Sequence, residues 1–126
     1  MKRVINKAIH ATAAKTVARL IAEVEARGMK LFTTIDHSGE ARPTGLELRE
    51  TKLIVFGHPR TDTPVMQAAP LAGLDLPLKV PVRSDQGRAC VSCTTPTELA
   101  ASCQLSDELA VGLVGIDSPV DAAVGR

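Results

Sequence analysis

From Thr12 onward the chain repeats apolar residues at helical spacing. Val17, Leu20, Ile21 and Val24 fall at i, i+3, i+4 and i+7, while Lys15, Arg19, Glu23 and Arg27 take the other sides. Thr12 offers an N-cap, and Gly28 stands where a helix ends on a left-handed residue. On both sides of this helix the pattern turns to strand. Arg3 to Ile9 alternates polar and apolar positions roughly, and residues 29–35, MKLFTTI, are rich in β-formers. Asp36, His37, Ser38 and Gly39 close the second strand, and the stretch to Gly45 reads as a connection holding one short helical turn.

Residues 53–57, LIVFG, are apolar without alternation and too few for a helix, which predicts a central strand buried on both faces. A loop from Gly57 leads to a short helix with Thr63 as N-cap and Pro64 at its first position, closed by Pro70 and Gly73. Leu76, Leu78, Val80 and Val82 then alternate with Pro77, Lys79, Pro81 and Arg83. The two prolines point to a sheet edge or a bulge. Asp85, Gln86 and Gly87 form a hairpin turn into a last strand, RACVSC, and residues 96–103 and 106–115 read as two C-terminal helices. One hairpin and short connections give an α+β two-layer sandwich, a largely antiparallel sheet with helices on one face, built as a single domain over residues 1–126.

Composition narrows the functional classes. Apolar residues make up 44% of the chain, yet there are two Phe and neither Tyr nor Trp, so ring-stacking sites for bases or sugars are not expected. Fifteen basic against fourteen acidic residues leave a net charge of +1, which supplies no field toward nucleic acid or anionic lipid. Lys2, Arg3 and Lys7 read as charges on an edge strand. No apolar run approaches the roughly 20 residues of a membrane span, and Asn6, Lys7 and His10 interrupt any leader-like stretch, so a cytoplasmic location is expected. Three cysteines in such a chain are expected as free thiols.

Five segments recur together in one known family: IDH (35–37), GLEL (45–48), FGHP (56–59), TPVMQAAP (63–70) and LDLPLKV (74–80). In order and spacing the chain resembles the bacterial domain of unknown function 302 family, over roughly residues 14 to 105. The resemblance implies a two-layer sandwich like one repeat of the TATA-binding protein, and homodimers among its members, but no activity. The sheet lacks the wedge aromatics and basic saddle of a DNA binder. The chain departs from the family's usual aromatic, Tyr and His at Cys90, Cys93 and Cys103, and Asp62 replaces a usual glycine.

Chemistry-bearing residues concentrate in two loops. Asp36 and His37 read either as a general base oriented by its carboxylate or as a turn cap beside an exposed loop residue. His58 and Arg60, before the Pro64 helix, suit an anion, although Asp62 competes for the same N–H groups. Met66 is read as core or as a ligand contact. Cys90 and Cys93 lie three apart on a strand and so project to opposite faces, which argues against a metal shared between them. No motif for a nucleotide, metal or other cofactor occurs, and none is expected. These residues describe a homodimeric module that binds a small-molecule ligand or a partner in a cleft rimmed by Asp36, His37 and residues 58–63. The alternative is an enzyme using the Asp36–His37 pair. The dimer is expected to bury the second face of LIVFG, because Gly112, Gly115, Asp117, Pro119 and Asp121 make the C-terminal segment a poor lid.

Overall fold

The computed structural model describes residues 4–94, 98, 101, 104–106 and 119–124. Strand β1 (Val4–Ile9) enters helix α1 (Ala13–Ala26), followed by β2 (Lys30–Asp36), the short α2 (His37–Ala41) and a 3-10 turn at Arg42–Thr44. Next come β3 (Thr51–Gly57), α3 (Pro59–Ala68), a 3-10 turn at Pro70–Leu74, β4 (Leu78–Asp85), β5 (Arg88–Thr94) and α4 (Pro119–Val124). The five strands form one antiparallel sheet in the order β1-β5-β4-β3-β2. It is the expected α+β sandwich. The two C-terminal helices expected over 96–103 and 106–115 fall largely outside the described residues.

Helix α1 forms as its pattern requires. The Thr12 side chain accepts a hydrogen bond from the Lys15 N–H at 3.2 Å. Gly28 takes φ +70 just past the last turn. Ala13, Val17, Leu20 and Val24 are buried against Ile54 and Phe56 of β3, Val80 and Val82 of β4, and Ala89 and Val91 of β5. Each such Leu or Val contributes roughly 1.5–3 kcal/mol relative to exposure. The β4–β5 turn holds Gln86 at φ 53 and Gly87 at φ 82, the two left-handed positions that a tight hairpin turn demands.

Four expectations are corrected. First, α3 begins at Pro59 rather than Pro64, with His58 as its N-cap residue. Proline suits a first helical turn, and the buried Asp62 carboxylate accepts the His58 N–H at 3.1 Å, so Pro64 is carried inside the helix rather than starting it. Second, β4 is the middle strand despite its prolines. Its pairing with β5 runs from Val82↔Val91 to Asp85↔Arg88, so Pro81 lies just beyond that ladder, where no N–H is required toward β5.

Third, β3 is next to the edge rather than central, and among the described residues helices cover one of its faces. Ile54 and Phe56 are 0% and 1% exposed, whereas Leu53 and Val55 are half-buried on the other side. A continuous apolar run records what the residues are, not whether both sides have cover. Fourth, Pro119 and Asp121, expected to break the C-terminal pattern, lie in a helix, α4, which packs beside α1 on the helix-covered face and so bears on that face alone. Pro119 stands at its first position, and Val120 and Ala123, three apart, are 5% and 3% exposed in the same core.

Candidate functional site

Antiparallel pairing decides where the predicted residues go. Asp36 lies opposite Lys52 at one end of the β2–β3 ladder, and Gly57 lies opposite Lys30 at the other. Six residues of strand, about 20 Å, separate the two ends. Asp36 and His37 therefore share no cleft with His58, Arg60 and Met66, which corrects the single cleft expected above.

At the first end Asp36 is a helix cap. Its carboxylate accepts the Ser38 hydroxyl at 2.6 Å and the Gly39 N–H at 3.0 Å. These bonds, Ser38 first, hold its pKa below the ordinary carboxylate range. Ser38 in turn accepts the Thr51 N–H at 3.2 Å, which ties the start of α2 to β3. Among the described residues no hydrogen bond joins the carboxylate to His37, which is exposed on the first turn of α2. A general base needs an imidazole held in place, and this one is not held. Beside it runs a groove of about 260 Å³ lined by Ser38, Arg42, Glu47 and Leu48.

At the second end the anion position is filled by the chain itself. Asp62 takes the His58 N–H and is 7% exposed, and burial raises its pKa against that hydrogen bond. The carboxylate lies over Gly57, where a side chain would meet it. The Nδ1 atom of His58 is buried and unpartnered. Arg60 is exposed, and Met66 packs against Val65, Ala72 and Leu76. Leu71, in the 3-10 turn after α3, is 78% exposed.

Cys90 and Cys93 obey the strand parity. Cys93 packs against the helix-covered core, while Cys90 pairs with Arg83 and Ala8 on the free side. Among the described residues no group of three or more His, Cys, Asp or Glu side chains could hold a metal ion. Cys103 lies outside the described residues.

The sheet's other face, expected above as the dimer surface, carries no helix among the described residues and is called the free face below. Register places Ile35, Leu53, Val55 and Pro81 on it, with Arg83 beyond Pro81. The half-buried Arg83 donates from Nη1 to the Ser92 hydroxyl at 3.1 Å. The signal was present in the alternation of Val80, Pro81, Val82 and Arg83, which sends Arg83 away from the two valines.

Among the described residues no helix is long and apolar enough to cross a membrane. The chain is 37% identical over 101 residues, 78% of its length, to the protein named Fluoride-specific ion channel FluC 1 of Brucella suis biovar 1 (strain 1330), covering 40% of that protein. A second relative, Fluoride-specific ion channel FluC 2 of Brucella melitensis biotype 1, is also 37% identical over 101 residues, 37% of its length. The chain thus spans about two-fifths of these curated relatives. The crystal structure of an uncharacterized conserved DUF302 protein from Bacillus stearothermophilus superposes with a TM-score of 0.80 at 18% identity, covering 98% of this chain and 96% of that one. The family described as Domain of unknown function DUF302 matches residues 5–118, and with nearly the whole fold inside that span the chain belongs to it.

Proposed function

We propose that the chain is a non-enzymatic binding module, working as a homodimer, whose free sheet face receives a partner protein. The observation that carries this reading is the face itself: Leu53, Val55 and Pro81 are half-buried, and Ile35 remains 37% exposed. A contiguous apolar face of this kind marks an interaction surface more often than a solvated wall. The groove beside α2 is the weaker candidate site, since its volume of about 260 Å³ falls below the roughly 300–1,000 Å³ of ordinary ligand pockets.

The relatives' names suggest the class of partner. The Brucella proteins named as fluoride channels contain a stretch like this chain within a protein more than twice as long. Among the described residues no helix is long and apolar enough to span a membrane, so the reading assigns to this module a part in partner binding rather than in conduction. A module found beside a channel in those relatives points to a membrane protein as the class of partner for the free face here.

In place of the dimer over the second sheet face expected from the sequence, the homodimer is proposed to form through a strand edge, since among the described residues β1 and β2 are the edge strands. Sedimentation equilibrium at micromolar concentration is expected to give twice the chain mass. A monomer across that range removes the homodimer from this reading.

A further inference from the structure

We infer that Arg83 anchors the partner on the free face by receiving a carboxylate, so that the face selects a protein segment in which Asp or Glu stands among apolar residues. The inference deepens the partner-binding reading above and rests on it.

Arg83 is a half-buried cation on a largely apolar surface. Its β3 neighbours on the free side are Thr51, directly opposite, and Leu53, opposite the adjacent Pro81. Toward β5 it faces Cys90. A guanidinium has five N–H donors in a fixed fork, and the hydrogen bond to Ser92 uses one of them. Ser92 is 9% exposed, so this contact pins the side chain along the sheet. No carboxylate pairs with Arg83 among the described residues. The nearest acidic residue along β4, Asp85, is turned to Arg49 at 3.6 Å. A planar fork with free donors, partly withdrawn from water, matches a carboxylate's two oxygens better than it matches bulk solvent.

Charge distribution identifies the occupant. Lys79 lies opposite Val55, and Arg88 opposite Asp85, so both share the free side of the sheet with Arg83. Asp85, the acidic residue on this side of β4 and β5, is already compensated by Arg49. Counted over the described residues, the face is therefore positive on a chain whose net charge is +1. Two copies set face to face would bring two positive faces into one desolvated interface, which like-charge repulsion and desolvation oppose. An acidic, partly apolar segment meets the same surface with complementary charge and covers Leu53 and Val55.

A phage-displayed library of random dodecapeptides, panned on the full chain, tests this. The expected selection is enriched in Asp or Glu flanked by Leu, Ile, Val or Phe. The best selected peptide should bind Arg83→Gln at least tenfold more weakly and Arg83→Lys at an intermediate strength, with melting curves near wild type for both. Binding lost in a Leu53→Ser variant but unchanged in Arg83→Gln would overturn the Arg83 assignment and leave the free face as the binding surface. Binding insensitive to both variants, or no selected peptide, would overturn the free-face reading as well.

Discussion

Ile54→Asp is expected to leave no folded protein, whereas its neighbour Val55→Asp is expected to melt cooperatively a few degrees below wild type. The two residues are adjacent in sequence and equal in kind. Ile54 is 0% exposed in the core formed with α1, β4 and β5. A carboxylate there has no partner, and an uncompensated buried charge costs several kcal/mol against a whole-domain stability of roughly 5–15 kcal/mol. Val55 points to the free side and is half-buried. Its replacement loses about 1–2 kcal/mol of apolar burial and β-preference, offset in part because Lys79 lies directly across from it. Circular dichroism melts separate the outcomes. Loss of folding in both variants would mean that the free face is buried after all, and two cooperative melts would refute the assignment of Ile54 to the core.

Gly57→Ala is expected to cost roughly 1–3 kcal/mol, a fall of about 5–10 °C in melting temperature. A Cβ at Gly57 would stand 2.5 Å from Oδ2 of Asp62, 3.3 Å from the Pro77 Cβ and 3.4 Å from the Phe32 ring. The oxygen can retreat only by releasing the His58 N–H that it accepts at 3.1 Å. Removing the obstacle should therefore remove part of the penalty: in an Asp62→Gly background the same change is expected to cost at least about 1 kcal/mol less. Strictly additive losses would show that Asp62 does not hold this corner.

The fold was legible where one residue pattern admits one solution. The stripe of Val17, Leu20 and Val24, the cap at Thr12 and the turn at Gln86 and Gly87 each have a local cause, and each stands where the sequence puts it. The start of α3 was hidden because its cap is not a local serine or threonine. The Asp62 carboxylate reaches back to His58, and Thr63 and Pro64 imitate a helix start without being one. The place of β4 was hidden because proline's missing donor matters only where a ladder needs it, and ladder length is a tertiary property. The candidate site was legible as residues and not as geometry. Asp36 and His58 were picked out by chemistry, but antiparallel pairing, invisible in a one-dimensional string, sends them to opposite ends of the sheet. Arg83 drew no attention because a lone arginine in a strand looks like any solvated one until its fork, pinned by Ser92, is seen on an apolar face.

The central claim is that one side of the sheet is open and serves as the binding surface. Native-state thiol labelling tests it most directly, in a background with Cys90, Cys93 and Cys103 replaced by alanine. Labelling of a Val55→Cys variant is expected within about tenfold of the rate for an unstructured thiol, while an Ile54→Cys variant reacts only through rare opening and at least about a thousandfold more slowly. Equal protection at both positions, with both variants folded, would contradict the open face and the function built on it.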